Sequence, residues 1–462
     1  MRKLSFLLVF IILMLATTAC RKKDSTKDNR FSSLAQIKKR GKLRIITLNS
    51  STSYFLYKGQ PMGYEYELAA QFAESIGVDA EVVVAKSASQ LTQLLREGKG
   101  DVVAYNLSVT KAMKDSVAFC GRQSCTHQVL VQQKGNDRKL LTDVTQLVGK
   151  KVSLLNKTRY LQRLKNLNTE LGGGIQIELI NKDTLTTEDL IERVSDGDIP
   201  YTVADNDIAI LNKTYFGNID VSLSVSFPQR LSWVVHKENS TLADALNKWY
   251  AHSQKTVEYR TLAKRYFEQS KRPFDLTLPK LSKGKISPFD NLFKKYAKEI
   301  GWDWRLLASV AFIESKFDPT EISWAGAKGL MQLMPRTAAS VGIYGKEIYD
   351  PETNIRGAIK SIHTLNRLYS NITNKEEQQK FIIAAYNCGI GHIMDAQDLA
   401  EKHGGSRFVW DKNVAHYLAL KSNPEYYNDK VCHYGYLRGE ETCLYVKKVM
   451  LTYQYYTSKT KK

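Results

Sequence analysis

Trp304–Ser315 reads WRLLASVAFIES and carries one acidic residue in an otherwise apolar run. Asp303 stands where a helix N-cap belongs, and Asp318-Pro319 closes the segment. At 3.6 residues per turn, Leu307, Val310, Ala311 and Glu314 share one stripe. The spacing therefore predicts a helix whose single carboxyl lies on the apolar face, near the C-terminal end. Burying an ionised carboxylate is costly, so such a group tends to hold its proton near neutral pH, as a general acid must. From spacing alone, a buried, hydrogen-bonded structural glutamate fits equally well.

Around this segment, from about residue 286 onward, the pattern is helical with short loops and no clear strands. Upstream, Arg272-Pro273 and LPKLSKGKISP at 278–288 cluster Pro, Gly, Lys and Ser, which reads as a linker over 271–285. Before it, strand and helix patterns alternate. KLRIITL (42–48), AEVVVA (80–85) and DVVAY (101–105) read as strands, with helical spacing over Tyr64–Ile76 and Leu91–Arg96. A second set follows at Lys151–Leu155, Ile175–Ile180 and Tyr201–Ala204, and Ser232–His236 reads as a strand returning to the first lobe. This βαβαβ rhythm implies parallel sheets with right-handed crossovers. The expected architecture is a bilobed α/β domain over 36–270, followed by an all-α domain over 286–462.

The chain has 462 residues, too many for one ordinary domain, and 43% hydrophobic with 25% charged residues excludes global disorder. Its net charge of +20 favours polyanionic partners without choosing among nucleic acid, anionic lipid and wall polymer. The N-terminus narrows that choice. Arg2 and Lys3 precede an apolar run from Phe6 to Ala16, short for a spanning helix and suited to a secretory signal over 1–19. Thr17-Thr18-Ala19-Cys20 resembles a bacterial lipobox, with Thr17 where Leu is usual, so Cys20 is the expected lipidation site and 20–35 a charged tether. Nucleic acid then drops away as a partner, and an outer-membrane lipoprotein facing the periplasm is the expected location. In an oxidising compartment Cys120–Cys125 and Cys432–Cys443 could pair locally, leaving Cys388; reduced, buried cysteines are the alternative. Neither Cys125-Thr126-His127 nor Cys432-His433 supplies a four-ligand zinc set, so no metal is expected.

Three phrases in the first part, GYEYELAAQFAESIG, REGKGDVVAYNLSVT and VADNDIAI, resemble the bacterial solute-binding proteins of the amino-acid type. In that family an Arg three residues after the Thr of a T-x-x-R phrase clamps the ligand carboxylate. Here Thr110-Lys111-Ala112-Met113 puts Met113 in that place. The group that receives the ligand amine aligns with Asp205. The resemblance thus implies a cleft whose ligand is a wall fragment with a free amine, such as a muropeptide, rather than a free amino acid.

In the second part, Glu314-Ser315, Gly329-Leu330-Met331-Gln332, Ala385-Tyr386-Asn387-Cys388-Gly389 and Tyr445-Val446 occur in order. They resemble the ES, GLMQ, AYNxG and YV motifs of the soluble-lytic-transglycosylase family, which has a lysozyme-like helical fold. GHIMDAQDLA (391–400) and YGYLRGEETCLYV (434–446) resemble its membrane-bound members, which carry a solute-binding-like domain in front. The resemblance implies non-hydrolytic cleavage of the β-1,4 bond between N-acetylmuramic acid and N-acetylglucosamine, leaving a 1,6-anhydromuramoyl end. Glu314 would be the catalytic acid and base. Ser315, Gln332, Tyr386, Asn387 and Tyr445 would bind glycan, with Gly329 and Gly389 allowing close approach of the backbone to sugar. No cofactor is implied. A muramidase-type hydrolase, or a wall-fragment sensor whose helical domain only docks, are the alternatives.

Overall fold

The computed structural model describes residues 31–109, 111–135, 139–156, 158–180, 185–269, 271 and 285–460. Cys20 and nearly all of the expected linker at 271–285 lie outside them. The folded chain begins slightly earlier than the sequence pattern suggests. Ser33 caps a helix over Leu34–Arg40 in a reciprocal capping box with Gln36, and Gly41 ends it in the left-handed conformation.

The first lobe is a five-stranded sheet. Its order is Asp79–Ala85, Lys42–Leu48, Val102–Ser108, Gln229–His236, Val117–Thr126. The first three are parallel, as the βαβαβ rhythm requires, with Lys42 opposite Asp79 and Ile45 opposite Val102. The last two run antiparallel, and Gln229–His236 is the returning strand anticipated from SWVVH. Trp233 is fully buried beneath this sheet with Phe72 and Leu246.

The second lobe departs from a purely parallel reading. Lys151–Leu155 and Gln176–Ile180 do pair in parallel. Tyr201–Asp205, however, pairs antiparallel with Gln128–Gln133, which also holds Ile219–Asp220. A continuously apolar strand is compatible with either direction, so the run alone did not decide this. The chain crosses between lobes near Gln128 and again near Ser226. The two crossings are tied by Val225 N–H to Gln128 O (2.8 Å) and Gln128 N–H to Ser226 Oγ (2.8 Å).

The second domain is helical. The helix Trp304–Ser315 runs through its centre, with six consecutive residues from Leu306 to Ala311 buried. It packs against Asp290–Ala297 and Gly439–Lys459, while Lys375–Cys388 and Ile390–Lys402 complete the wall. The two domains share packing. Ala325 and Tyr436 of the helical domain are buried in the same apolar cluster as Phe55, Tyr64 and Tyr266 of the first lobe.

The expected local disulfides are not formed; the five described cysteines are free. Cys120 and Cys125 lie on one strand. Five residues of extended chain separate Cα atoms by roughly 15 Å, against the ~6 Å a disulfide spans. Cys443 instead donates to the Ala415 carbonyl (3.3 Å), and Cys388 is buried with its thiol pushed up to about 12 by desolvation.

Candidate active site

Asp303 caps the central helix by accepting from Arg305 N–H (2.9 Å), as its sequence position suggested. After twelve helical residues the chain leaves the helix at Lys316, which adopts a left-handed conformation. This places Glu314 in the last turn, with a side chain only 9% exposed. The Tyr445 hydroxyl donates to Glu314 Oε1 (2.7 Å). Burial beside that carboxylate raises the Tyr445 phenol well above its ordinary range, so it serves as a hydrogen-bond donor. Glu314, Gln332, Asn387 and Tyr445 line one cavity of about 210 Å³.

The four motifs converge, but not all of their polar groups face that cavity. Ser315 is buried, and its hydroxyl bonds the carbonyls of Ala311 (3.1 Å) and Leu330 (2.7 Å). It stitches the central helix to the GLMQ turn. Tyr386 acts similarly, donating to Met331 O (2.6 Å) from the helix Lys375–Cys388. Gln332 adopts φ +49° and spends its Nε2 hydrogens on the carbonyls of Glu321 (3.1 Å) and Gly329 (2.9 Å). Its remaining amide function is therefore an acceptor. Leu330 and Met331 are fully buried, as core residues.

The two glycines need correcting. A Cβ on Gly329 would collide with Asn354 and the Ile348 carbonyl, so this glycine admits the domain interior rather than a sugar. A Cβ on Gly389 would press on Gly59 and Lys58, which belong to the other domain.

That approach identifies a feature the sequence reading missed. Phe55–Tyr57 and Gln60–Met62 form a short hairpin from the first lobe, turning at Lys58 and Gly59 with φ +49° and +72°. Its tip enters the site. Lys58 Nζ lies 3.5 Å from Glu314 Oε1 and 5.4 Å from the centre of the Tyr386 ring, and its side chain is only 9% exposed. Lys58 N–H bonds Cys388 O (3.1 Å), and His392 Nε2 bonds Leu56 O (2.9 Å). Burial pushes His392 down to about 3, so the ring is neutral at neutral pH and donates to that carbonyl. Two other unforeseen residues brace the motifs. Asn354, fully buried, accepts from Met331 N–H (2.7 Å), and Thr442 donates to Asn387 Oδ1 (2.8 Å).

In the first domain Asp205 is the last residue of its strand, one beyond the expected end at Ala204, and is nearly buried. Its carboxylate already pairs with Arg159 and accepts from the Tyr160 hydroxyl (3.1 Å). Met113 packs against the apolar cluster around Ile46 and Leu91. Contacts bridge the lobes: Ser51 with Glu188, Asn106 with Asp207 (3.0 Å) and Ser108 with Arg159 (3.4 Å). Glu188 also accepts from Tyr436 (2.9 Å) and Arg438 (3.1 Å) of the helical domain.

Residues 291–409 match the Transglycosylase SLT domain, and residues 43–269 match the bacterial extracellular solute-binding proteins, family 3. The membrane-bound lytic murein transglycosylase F of Desulfosudis oleivorans is 33% identical over 91% of this chain and 91% of its own length. The chain belongs to that family. The protein of the same name from Vibrio campbellii is 29% identical over 98% of this chain and 85% of its own. Among solved structures, an ancestral cationic amino acid solute-binding protein matches with 23% identity and a TM-score of 0.44. That match covers 51% of this chain and all of its own.

Family membership explains why both domains are present; the hairpin shows how they meet. Lys58 lies against the Glu314 carboxyl, where a sugar entering the cavity would meet it. Lys58→Ala is expected to raise turnover of isolated glycan strands about tenfold, measured as formation of 1,6-anhydromuramoyl ends by chromatography. A rate at or below wild type would show that the hairpin tip is no barrier.

Proposed function

We propose that this chain is a peptidoglycan lytic transglycosylase that cleaves the β-1,4 bond between N-acetylmuramic acid and N-acetylglucosamine without hydrolysis. The carrying observation is Glu314, held in the last turn of a buried helix, bonded by Tyr445 and facing a cavity with Gln332 and Asn387. The protonated Glu314 gives its proton to the glycosidic oxygen, and the C1–O bond breaks. The muramoyl acetamide supports the oxocarbenium-like centre, as in substrate-assisted glycosidases. The resulting Glu314 carboxylate then takes the proton of the same sugar's C6 hydroxyl, whose oxygen bonds C1. One carboxyl serves both steps, and Tyr445 steadies it throughout. Gln332 suits an acetamide N–H, because its donors are already committed.

Glu314→Gln preserves volume and hydrogen bonding but cannot exchange the proton. Activity should fall by about 10²–10⁴-fold with the fold retained by circular dichroism. Mass spectrometry of the wild-type digest should find ends lighter by one water. Ends that retain the water would instead indicate a hydrolase, and activity in Glu314→Gln within about tenfold of wild type would remove Glu314 from the mechanism.

We also propose that the chain is tethered to the periplasmic face of the outer membrane by lipid on Cys20. The lipobox-like TTAC supports this, as does Arg21 after the cysteine, where Asp often marks inner-membrane retention. The tether's Arg21, Lys22, Lys23, Lys27 and Arg30 against Asp24 and Asp28 favour anionic lipid or wall polymer. Among the described residues no helix is long and apolar enough to cross a membrane. Cys20→Ala is expected to move the processed protein from the membrane pellet to the soluble fraction.

The bilobed domain is proposed to bind a muropeptide with a free amine, and binding to withdraw the hairpin from Glu314. Glu188 supports this coupling, since this second-lobe residue touches Ser51 of the first lobe and Tyr436 and Arg438 of the helical domain together. A ligand amine at Asp205 must displace Arg159, which ties ligand binding to a local rearrangement. Stem peptides added to the full-length protein should bind by calorimetry and raise the lysis rate. Binding with no change in rate would leave a docking module.

A further inference from the structure

Ten residues after Glu314, Trp324 sits at a braced corner. Gly326 N–H bonds Ser323 O (2.9 Å), Ser323 N–H bonds Ala327 O (2.9 Å), and the Ser323 hydroxyl accepts from Ala327 N–H (3.0 Å). Gly326, at φ +86°, allows the turn. The indole is half-buried, yet its aromatic partners, Tyr57 and Tyr266, come from the other domain. Tyr57 of the hairpin lies 5.6 Å away, centre to centre, at 47°. Tyr266 meets it edge-on at 6.3 Å, and Lys271 Nζ is 5.1 Å from its ring centre. Trp324 packs with the first lobe's apolar cluster, not with the helical domain's own core. It also lines the same cavity as Glu314, Gln332 and Asn387. Withdrawal of the hairpin therefore leaves a rigidly presented aromatic face on the wall of the catalytic groove.

We propose that Trp324 is a glycan subsite: its indole face takes the apolar face of an N-acetylated pyranose ring of the strand, and Tyr57 occupies that position in the closed arrangement. A pyranose presents axial C–H groups on one face and hydroxyls at its rim. A flat, electron-rich ring beside neutral amide groups matches that chemistry. The hairpin covers both features of the site at once, with Tyr57 over the stacking surface and Lys58 against the carboxylate. The bland competitor is a tryptophan that only holds the domains together, as aromatic anchors do at interfaces.

The two readings differ in sign. This inference rests on the reading that hairpin withdrawal admits glycan, so the experiment separates the two. Full-length wild type, Tyr57→Ala, Trp324→Ala and the double variant are assayed for KM and kcat on uncrosslinked glycan strands. The expected result is that Tyr57→Ala lowers KM, while adding Trp324→Ala to it raises KM about tenfold and leaves kcat within about twofold. Trp324→Phe in the same background should restore KM to within about threefold, and Trp324→Leu, of similar bulk but without a π face, should not. If Trp324→Ala instead activates as Tyr57→Ala does, and the double variant is no weaker than Tyr57→Ala, or if Leu serves as well as Phe, the subsite is overturned. If Tyr57→Ala leaves KM unchanged while Trp324→Ala still raises it, the closure reading fails and the subsite stands.

Discussion

The Lys58 ammonium of one domain rests against the Glu314 carboxylate of the other, and both are almost withdrawn from water. This contact constrains everything around it. In the closed arrangement a positive charge stands where the proposed first step would bring the glycosidic oxygen. Removing one partner of a buried pair strands the other charge, at a cost of about 3–5 kcal/mol. Opening the domains is different, because both ions return to water together. The pair therefore makes closure specific without making it irreversible. The strength of the closed state has to come from elsewhere.

It comes from apolar surface. Phe55, Tyr57, Trp324 and Tyr436 pack where the hairpin meets the helical domain, and Ala325 and Tyr436 are counted in the first lobe's own core. Burying aromatic side chains contributes about 1.5–3 kcal/mol each relative to exposure. Backbone bonds then fix the register: Lys58 N–H to Cys388 O, and His392 to Leu56 O. His392 and Gly389 lie in or beside the GHIMDAQDLA stretch, which the catalytic chemistry leaves unexplained. Their contacts with the hairpin give that stretch a structural purpose.

The central helix was legible from its sequence down to its boundaries, because a capping Asp, a 3.6-residue stripe and a terminating Asp-Pro all agree. The strands Lys42–Leu48 and Lys151–Leu155 were equally plain. The hairpin was not. Three-residue strands are too short to show alternation, and Lys58-Gly59 lacks the Asn-Gly signature of a tight turn. A single lysine likewise carries no sign that it will meet a carboxylate 256 positions away. The motif residues themselves split. Order and spacing located Glu314, Gln332, Asn387 and Tyr445 on one cavity, but could not tell that Ser315 and Tyr386 spend their hydroxyls on carbonyls of the GLMQ turn. Direction of a hydroxyl depends on the neighbouring chain, which spacing within one segment does not encode.

The same limit explains the cysteines and Asp205. Proximity in sequence suggested Cys120–Cys125, yet a strand keeps its residues apart as effectively as a loop could bring them together. Asp205 occupies the position of an amine acceptor, but the neighbouring lobe segment supplies Arg159, a guanidinium that already answers its charge. In both places a residue type read in isolation implied a partner, and the fold supplied another. Glu314 is the inverse case. Its partner in this arrangement is Lys58, and in the proposed mechanism that partner leaves before the residue acts. On that proposal, a site assembled by two domains keeps its acid paired until the domains separate, so that the enzyme is folded and complete before it acts.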